Sequence, residues 1–123
     1  MPRVLLVDDD EVTRGNDERL LRANGFAVEA ARSVAEAVAA VNRRVPDVVL
    51  ANVQLPDADV LALVSQIHEQ RASAQIPIIG ATTEWTPEIR ERARTAGVSA
   101  FVEKRGTPFH VLAEIYRALA DRR

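Results

Sequence analysis

The side chains best able to do chemistry stand directly behind short apolar runs: Asp8-Asp9-Asp10, Asn52, Thr82-Thr83 and Lys104. Three adjacent carboxylates can line an acidic pocket. They can also form a solvated acidic turn, or favour the positive end of a helix that follows. Asp8-Asp9-Asp10-Glu11 repels phosphate unless a cation is present. Lys104 reads as a surface lysine or as the cationic member of a pocket. The Thr82 and Thr83 hydroxyls read as pocket or loop groups, and Asn52 as a turn residue capping the next segment. His68 and His110 invite a phosphotransfer or metal reading, but neither has a partner motif. Both fall within expected helices, away from the strand ends. The chain has no cysteine, which excludes disulfides and thiolate metal sites.

Those residues are positioned by a strict alternation of elements. Val4-Leu5-Leu6-Val7 is a buried strand by composition. A helix is expected from Glu11 to Asn24, closed by Gly25. Val12 and Leu20 fit its apolar stripe, whereas Gly15, Asn16 and Asp17 interrupt it. Phe26 to Ala30 is a second strand. Ser33-Val34-Ala35-Glu36 is a capping box opening a helix with Val34, Val38, Val41 and Val45 at helical spacing, ended by Pro46. Asp47 to Ala51 is a third, central strand. A loop with Pro56 leads to a third helix, Asp59 to Gln70, with Leu61, Val64 and His68 on one line. Ile76 to Ala81 is a fourth strand. Thr86-Pro87 is a cap followed by proline at the first helical position, and Gly97 stops that helix. Ser99 to Glu103 is a fifth strand, and Thr107-Pro108 repeats the cap-plus-proline start. The last helix packs through Phe109, Leu112, Ile115 and Leu119.

Alternating strands and helices imply an α/β fold with a parallel sheet and helices on both faces. Chemistry in such sheets gathers at the carboxyl ends of the strands. The chain has 123 residues, 47% apolar and 28% charged, which suits one compact domain over residues 1–123. A net charge of −2 offers nothing for nucleic-acid binding through bulk charge. No signal peptide or bilayer-crossing run is evident, so a cytoplasmic location is expected.

The chain resembles the receiver domain of bacterial response regulators. The likeness runs from Val4 to the final helix. Its motifs are Leu6-Val7-Asp8-Asp9, then Pro46-Asp47-Val48-Val49-Leu50-Ala51-Asn52, then Leu55-Pro56-Asp57-Ala58-Asp59. Pro77-Ile78-Ile79-Gly80-Ala81-Thr82 and Phe101-Val102-Glu103-Lys104 complete the set. The resemblance implies a flavodoxin-like, three-layer (βα)5 domain with a five-stranded parallel sheet ordered 2-1-3-4-5. It also implies phosphoryl transfer from a histidine kinase to a carboxylate at the end of the third strand. A Mg²⁺ ion would neutralise the developing charge. Asp9 would then be a direct metal ligand, Asp8 would hold a metal-bound water, and the Gln54 carbonyl would be a third ligand. Lys104 would pair with phosphoryl oxygens, and Thr82 would bond one of them. Phe101 would be the switch aromatic that follows Thr82.

Three positions depart from the family pattern. Asn52 stands at the phosphoacceptor position, where a neutral amide is a very poor nucleophile and one negative charge is lost from the cation site. The resemblance therefore implies a pseudo-receiver with a weakened Mg²⁺ site made of Asp8, Asp9, Asn52 and Gln54. The Asn52 amide is expected to donate to Asp8 or Asp9 in place of the cation. Arg105 replaces a proline whose preceding bond is cis in the family, so a trans bond is expected. Val60 replaces a glycine, so a reshaped loop is expected. Trp85 is expected to be exposed at the start of the fourth helix, where it reads equally as simple packing or, with Phe101, as part of the partner face.

The expected function is two-component or phosphorelay signal transduction through protein–protein contact, without enzyme activity. The partner would be a histidine kinase or another signalling protein, with a homodimer allowed and no direct nucleic-acid or membrane contact. One alternative is a conventional phosphoaspartate switch in which Asn52 is an introduced change. Another is a small flavodoxin-like enzyme or nucleotide binder. That alternative lacks the glycine-rich phosphate loop it would need.

Overall fold

The run Val4–Val7 lies at the heart of the sheet because both its faces are apolar. In a computed structural model describing residues 1–70, 75–83, 85–104 and 108–121, β1 (Arg3–Val7) has all four of these residues buried. It pairs in parallel with β2 (Ala27–Ala31) on one side and β3 (Val48–Asn52) on the other. The ladder continues through β4 (Ile78–Thr82) to β5 (Ala100–Glu103), giving the order β2-β1-β3-β4-β5. The expected topology is therefore the observed one.

Alternate side chains of each strand feed opposite faces. On one face Leu5, Val7, Val49 and Ala51 pack beneath α2 (Val34–Arg43), α3 (Val60–His68) and α4 (Pro87–Ala96). On the other, Val4, Leu6, Leu50 and Ile79 pack beneath α1 (Glu11–Ala23) and α5 (Pro108–Ala120). The caps expected from sequence close these helices. Ser33 accepts from Glu36 N, Thr86 accepts from Ile89 N, and Gly97 adopts φ +114° past the end of α4. No helix among the described residues is long and apolar enough to cross a membrane.

Three expected stripes are corrected. Val12 is 71% exposed, on the solvent side of α1. Leu21 is the buried residue of that helix, and it shares a face with Asp17, four residues earlier. In α3 the buried line is Val60, Leu63, Val64 and Ile67, one residue round from the expected Leu61, Val64 and His68. Val45 is likewise exposed, since α2 ends at Arg43 before reaching it. The expectations for the Lys104–Arg105 bond, the Thr107 cap and the Phe109 side chain lie outside the described residues.

Candidate functional site

The sheet register brings the strand ends together. Val7 sits beside Ala51, Asn52 beside Ala81, and Thr82 beside Glu103. Asp8, Asn52, Thr82 and Lys104 therefore meet at one edge. Asp8 is 3% exposed, the one buried charged residue among those described. A buried carboxylate is costly unless paired and hydrogen-bonded, and here both oxygens are engaged. Lys104 Nζ donates to Oδ2 at 3.0 Å, and Asp10 N donates to Oδ1 at 2.9 Å. The Arg14 guanidinium donates to the Asp8 carbonyl at 2.8 Å. Lys104 is aimed by its own backbone, whose N–H donates to the Thr82 carbonyl at 2.9 Å.

Asp9 stays exposed. Asp10 turns away to cap α1, and the backbone N–H groups of Thr13 and Val12 hold its pKa below the usual value. Asp17 faces the cluster from α1. Burial first, and the Asp8 charge second, push its pKa up to about 6, while Lys104 opposes the rise. The polar interruption of α1's stripe was the sequence signal for this residue; its role beside Asp8 was not foreseen.

Asn52 lies half-buried at the end of β3, inside this edge. Its amide does not reach the carboxylates as expected. Nδ2 donates to the Gln54 carbonyl at 2.9 Å. A charged ammonium and a backbone N–H already serve both oxygens of Asp8, and charge-assisted bonds are the stronger kind. The partner of the amide is the backbone carbonyl two residues on.

The segment after Asn52 is tied down at several points. Gln54 bridges Asp59, Leu55 N donates to the Ala58 carbonyl, and Val60 N donates to the Val53 carbonyl at 2.8 Å. Val60 opens α3 as a buried residue, and no non-glycine among the described residues has positive φ. The valine thus costs no backbone strain. Asp57, which sequence reasoning passed over as mere motif, accepts from Val34 N at 2.9 Å and Ala35 N at 3.0 Å. Those two bonds lower its pKa and fasten the loop to the start of α2.

Beside the cleft, Trp85 and Phe101 form an edge-to-face pair with centroids 5.0 Å apart. Trp85 was expected to be exposed. It is instead half-buried, with its indole N–H donating to the Val102 carbonyl at 3.0 Å. Arg90 lies 5.6 Å from the Trp85 ring and 4.9 Å from the Phe101 ring. The two histidines lie elsewhere. His68 Nε2 contacts the Ile76 carbonyl at 3.1 Å, near the opposite end of β4, and His110 is exposed on α5.

Residues 4–116 match the response regulator receiver domain family. The chain belongs to this family. A gliding motility regulatory protein of Myxococcus xanthus is 35% identical over 112 residues, 91% of this chain but 14% of that protein. The virulence transcriptional regulatory protein PhoP of Salmonella typhimurium is 29% identical over 111 residues, covering 90% of this chain and 47% of PhoP. The chain thus spans less than half the length of either relative. The chemotaxis protein CheY4 of Vibrio cholerae superimposes with a TM-score of 0.93 at 28% identity, covering 97% of this chain and 99% of that one. The receiver domain of the sensor histidine kinase PA1611 from Pseudomonas aeruginosa, solved with magnesium coordinated in its active-site cleft, superimposes at 0.90 with 25% identity, covering 98% of each chain.

The donors of this receiver's own cleft are engaged with one another. Asp8 accepts from Lys104 and Asp10, the Gln54 carbonyl accepts from Asn52, and Asn52 brings no charge. Among the described residues no group of three or more acidic, histidine or cysteine side chains could hold a metal ion. The cation at Asp8 is the Lys104 ammonium, at 3.0 Å.

Proposed function

We propose that this receiver is a partner-binding signalling module, spanning residues 1–123, in which phosphorylation at the usual position is blocked by Asn52. The observation carrying this reading is the placement of Asn52. It ends β3, within the edge formed by Asp8, Thr82 and Lys104, and presents a carboxamide engaged with Gln54. An amide nitrogen has its lone pair delocalised into the carbonyl. The amide oxygen, once bonded to phosphorus, would leave a cationic imidate that water readily displaces. Neither atom supplies the ionised oxygen that forms a stable acyl phosphate.

Receiver domains bind Mg²⁺ at this site, and in this chain we assign that site a weakened affinity. The Lys104–Asp8 pair and the Asn52–Gln54 bond compete with a cation for the same oxygens. Partners are then recognised through the constitutive surface of the domain. A histidine kinase or another signalling protein is the expected class, the Trp85–Phe101 region is the expected face, and a homodimer is one form such contact could take. The reading includes no catalysis and places the protein in the cytoplasm.

A second reading has a specific observation behind it. Asp8, Asp9, Thr82 and Lys104 all remain around residue 52, as a conventional phosphoaspartate switch would need. In that case Asn52 is an introduced change and Asn52→Asp restores the switch.

Beryllofluoride, which needs an anionic oxygen to bond and so can mimic a phosphoryl group on an aspartate but not on a carboxamide, tests the proposal. At a fixed Mg²⁺ concentration, adding beryllofluoride should leave the backbone amides of residues 8–10, 52–54 and 82–83 at the NMR positions they hold with Mg²⁺ alone. A saturable shift of these amides in the unaltered protein would reject it.

A further inference from the structure

The strand position beneath Trp85 is a glycine without a backbone reason to be one. Among the described glycines only Gly25 and Gly97 have positive φ. Gly80 lies mid-strand in β4, directly in register with Phe101 of β5. What Gly80 supplies is room. A Cβ built there would stand 3.4 Å from Cη2 of Trp85 and 3.4 Å from Cγ1 of Val98, at the close limit of ordinary van der Waals contact. The chain leaves β4 at Thr82, and the indole of Trp85 folds back over the Gly80–Phe101 pair.

Three further contacts fix the ring. Its N–H donates to the Val102 carbonyl, its face meets Phe101 at an interplanar angle of 82°, and Arg90 closes over both rings. An edge-to-face pair and a cation over aromatic faces each add attraction beyond area burial. We infer that Trp85 is a wedge holding Phe101 in a single side-chain state, whatever the cleft contains. Phe101 cannot turn toward Thr82 without expelling the indole, breaking its bond to Val102 and baring Gly80. The conformational output of the domain is thereby fixed by its own sequence. This device does not rest on Asn52: it would persist if a carboxylate were restored at that position.

The experiment needs no phosphodonor, so its outcome is separate from that of the phosphorylation reading. Trp85 is the single tryptophan in the chain, so fluorescence reports on it alone. In the unaltered protein, acrylamide should quench it several-fold more slowly than N-acetyltryptophanamide. Phe101 ring resonances should form one set without microsecond–millisecond exchange. Trp85→Ala should introduce such exchange at Phe101 and at the amides of 100–103. Trp85→Phe keeps a ring but loses the N–H, so it should give a smaller effect and serves if the alanine variant does not fold. Quenching as fast as in the free compound, exchange at Phe101 already in the unaltered protein, or a folded variant with no exchange would each overturn the wedge.

Discussion

In the cleft, Lys104 reaches across the sheet edge to Asp8, and every ordering contact involves a charge or a backbone dipole. In the neighbouring stack, Trp85 and Phe101 are held by ring contact and one neutral hydrogen bond, with Arg90 as a lid. Both regions hang on the same strand, since Phe101 and Lys104 lie three residues apart at the end of β5. The contrast teaches where this receiver is sensitive. The cleft depends on each partner's charge, so single substitutions and pH should disturb it. The stack depends on shape, so it should be nearly indifferent to pH and sensitive to the loss of a ring.

The largest expected break in that contrast is Lys104→Met. It leaves Asp8 buried without its counter-ion, and removing one partner of such a pair costs about 3 kcal/mol. Urea unfolding should show this loss, and adding Asp8→Asn should recover much of it. If the single variant is as stable as the parent, charge does not hold the cleft.

A smaller effect belongs to Asp17. Its folded pKa of about 6 lies above the unassociated value of 3.8, so between those pH values the folded protein keeps a proton that the unfolded chain has released. Stability from this residue is therefore full near pH 4 and is lost as the pH rises to about 6. Partial exposure screens the effect to about 1 kcal/mol. Asp17→Asn should stabilise the protein at pH 7.5 and make no difference near pH 4. The lowered pKa values of Asp10 and Asp57 act in the opposite sense and in a separate window, withdrawing stability as the pH falls through and below the ordinary carboxylate range. The smallest effect is expected for Arg90→Ala, about 0.5 kcal/mol from the lost cation–ring contact. It should be the same at pH 5 and pH 8, and a marked pH dependence would erase the distinction between the two regions.

Much of the architecture was legible because it follows local rules. Apolar runs gave the strands, Ser33, Thr86-Pro87 and Gly97 marked helix ends, and the polar residues behind the strands marked the cleft. What sequence reading missed depends on competition in three dimensions. Asn52 was expected to serve Asp8, but whether Lys104 arrives first is set by a strand fifty residues away. Trp85 was read as exposed because nothing local announces that Gly80 opens a slot for it. Asp57 reaches the start of α2 across 23 residues of chain, a contact no window along the sequence contains. The α3 stripe was misplaced by one residue because Leu61 and His68 border the buried line and are only half-buried.

The identity of the atom at position 52 decides the chemistry, and intact mass reads it directly. The unaltered protein, incubated with a small-molecule phosphodonor and Mg²⁺, should keep its mass throughout. A stable phosphoryl adduct on that protein would contradict the account.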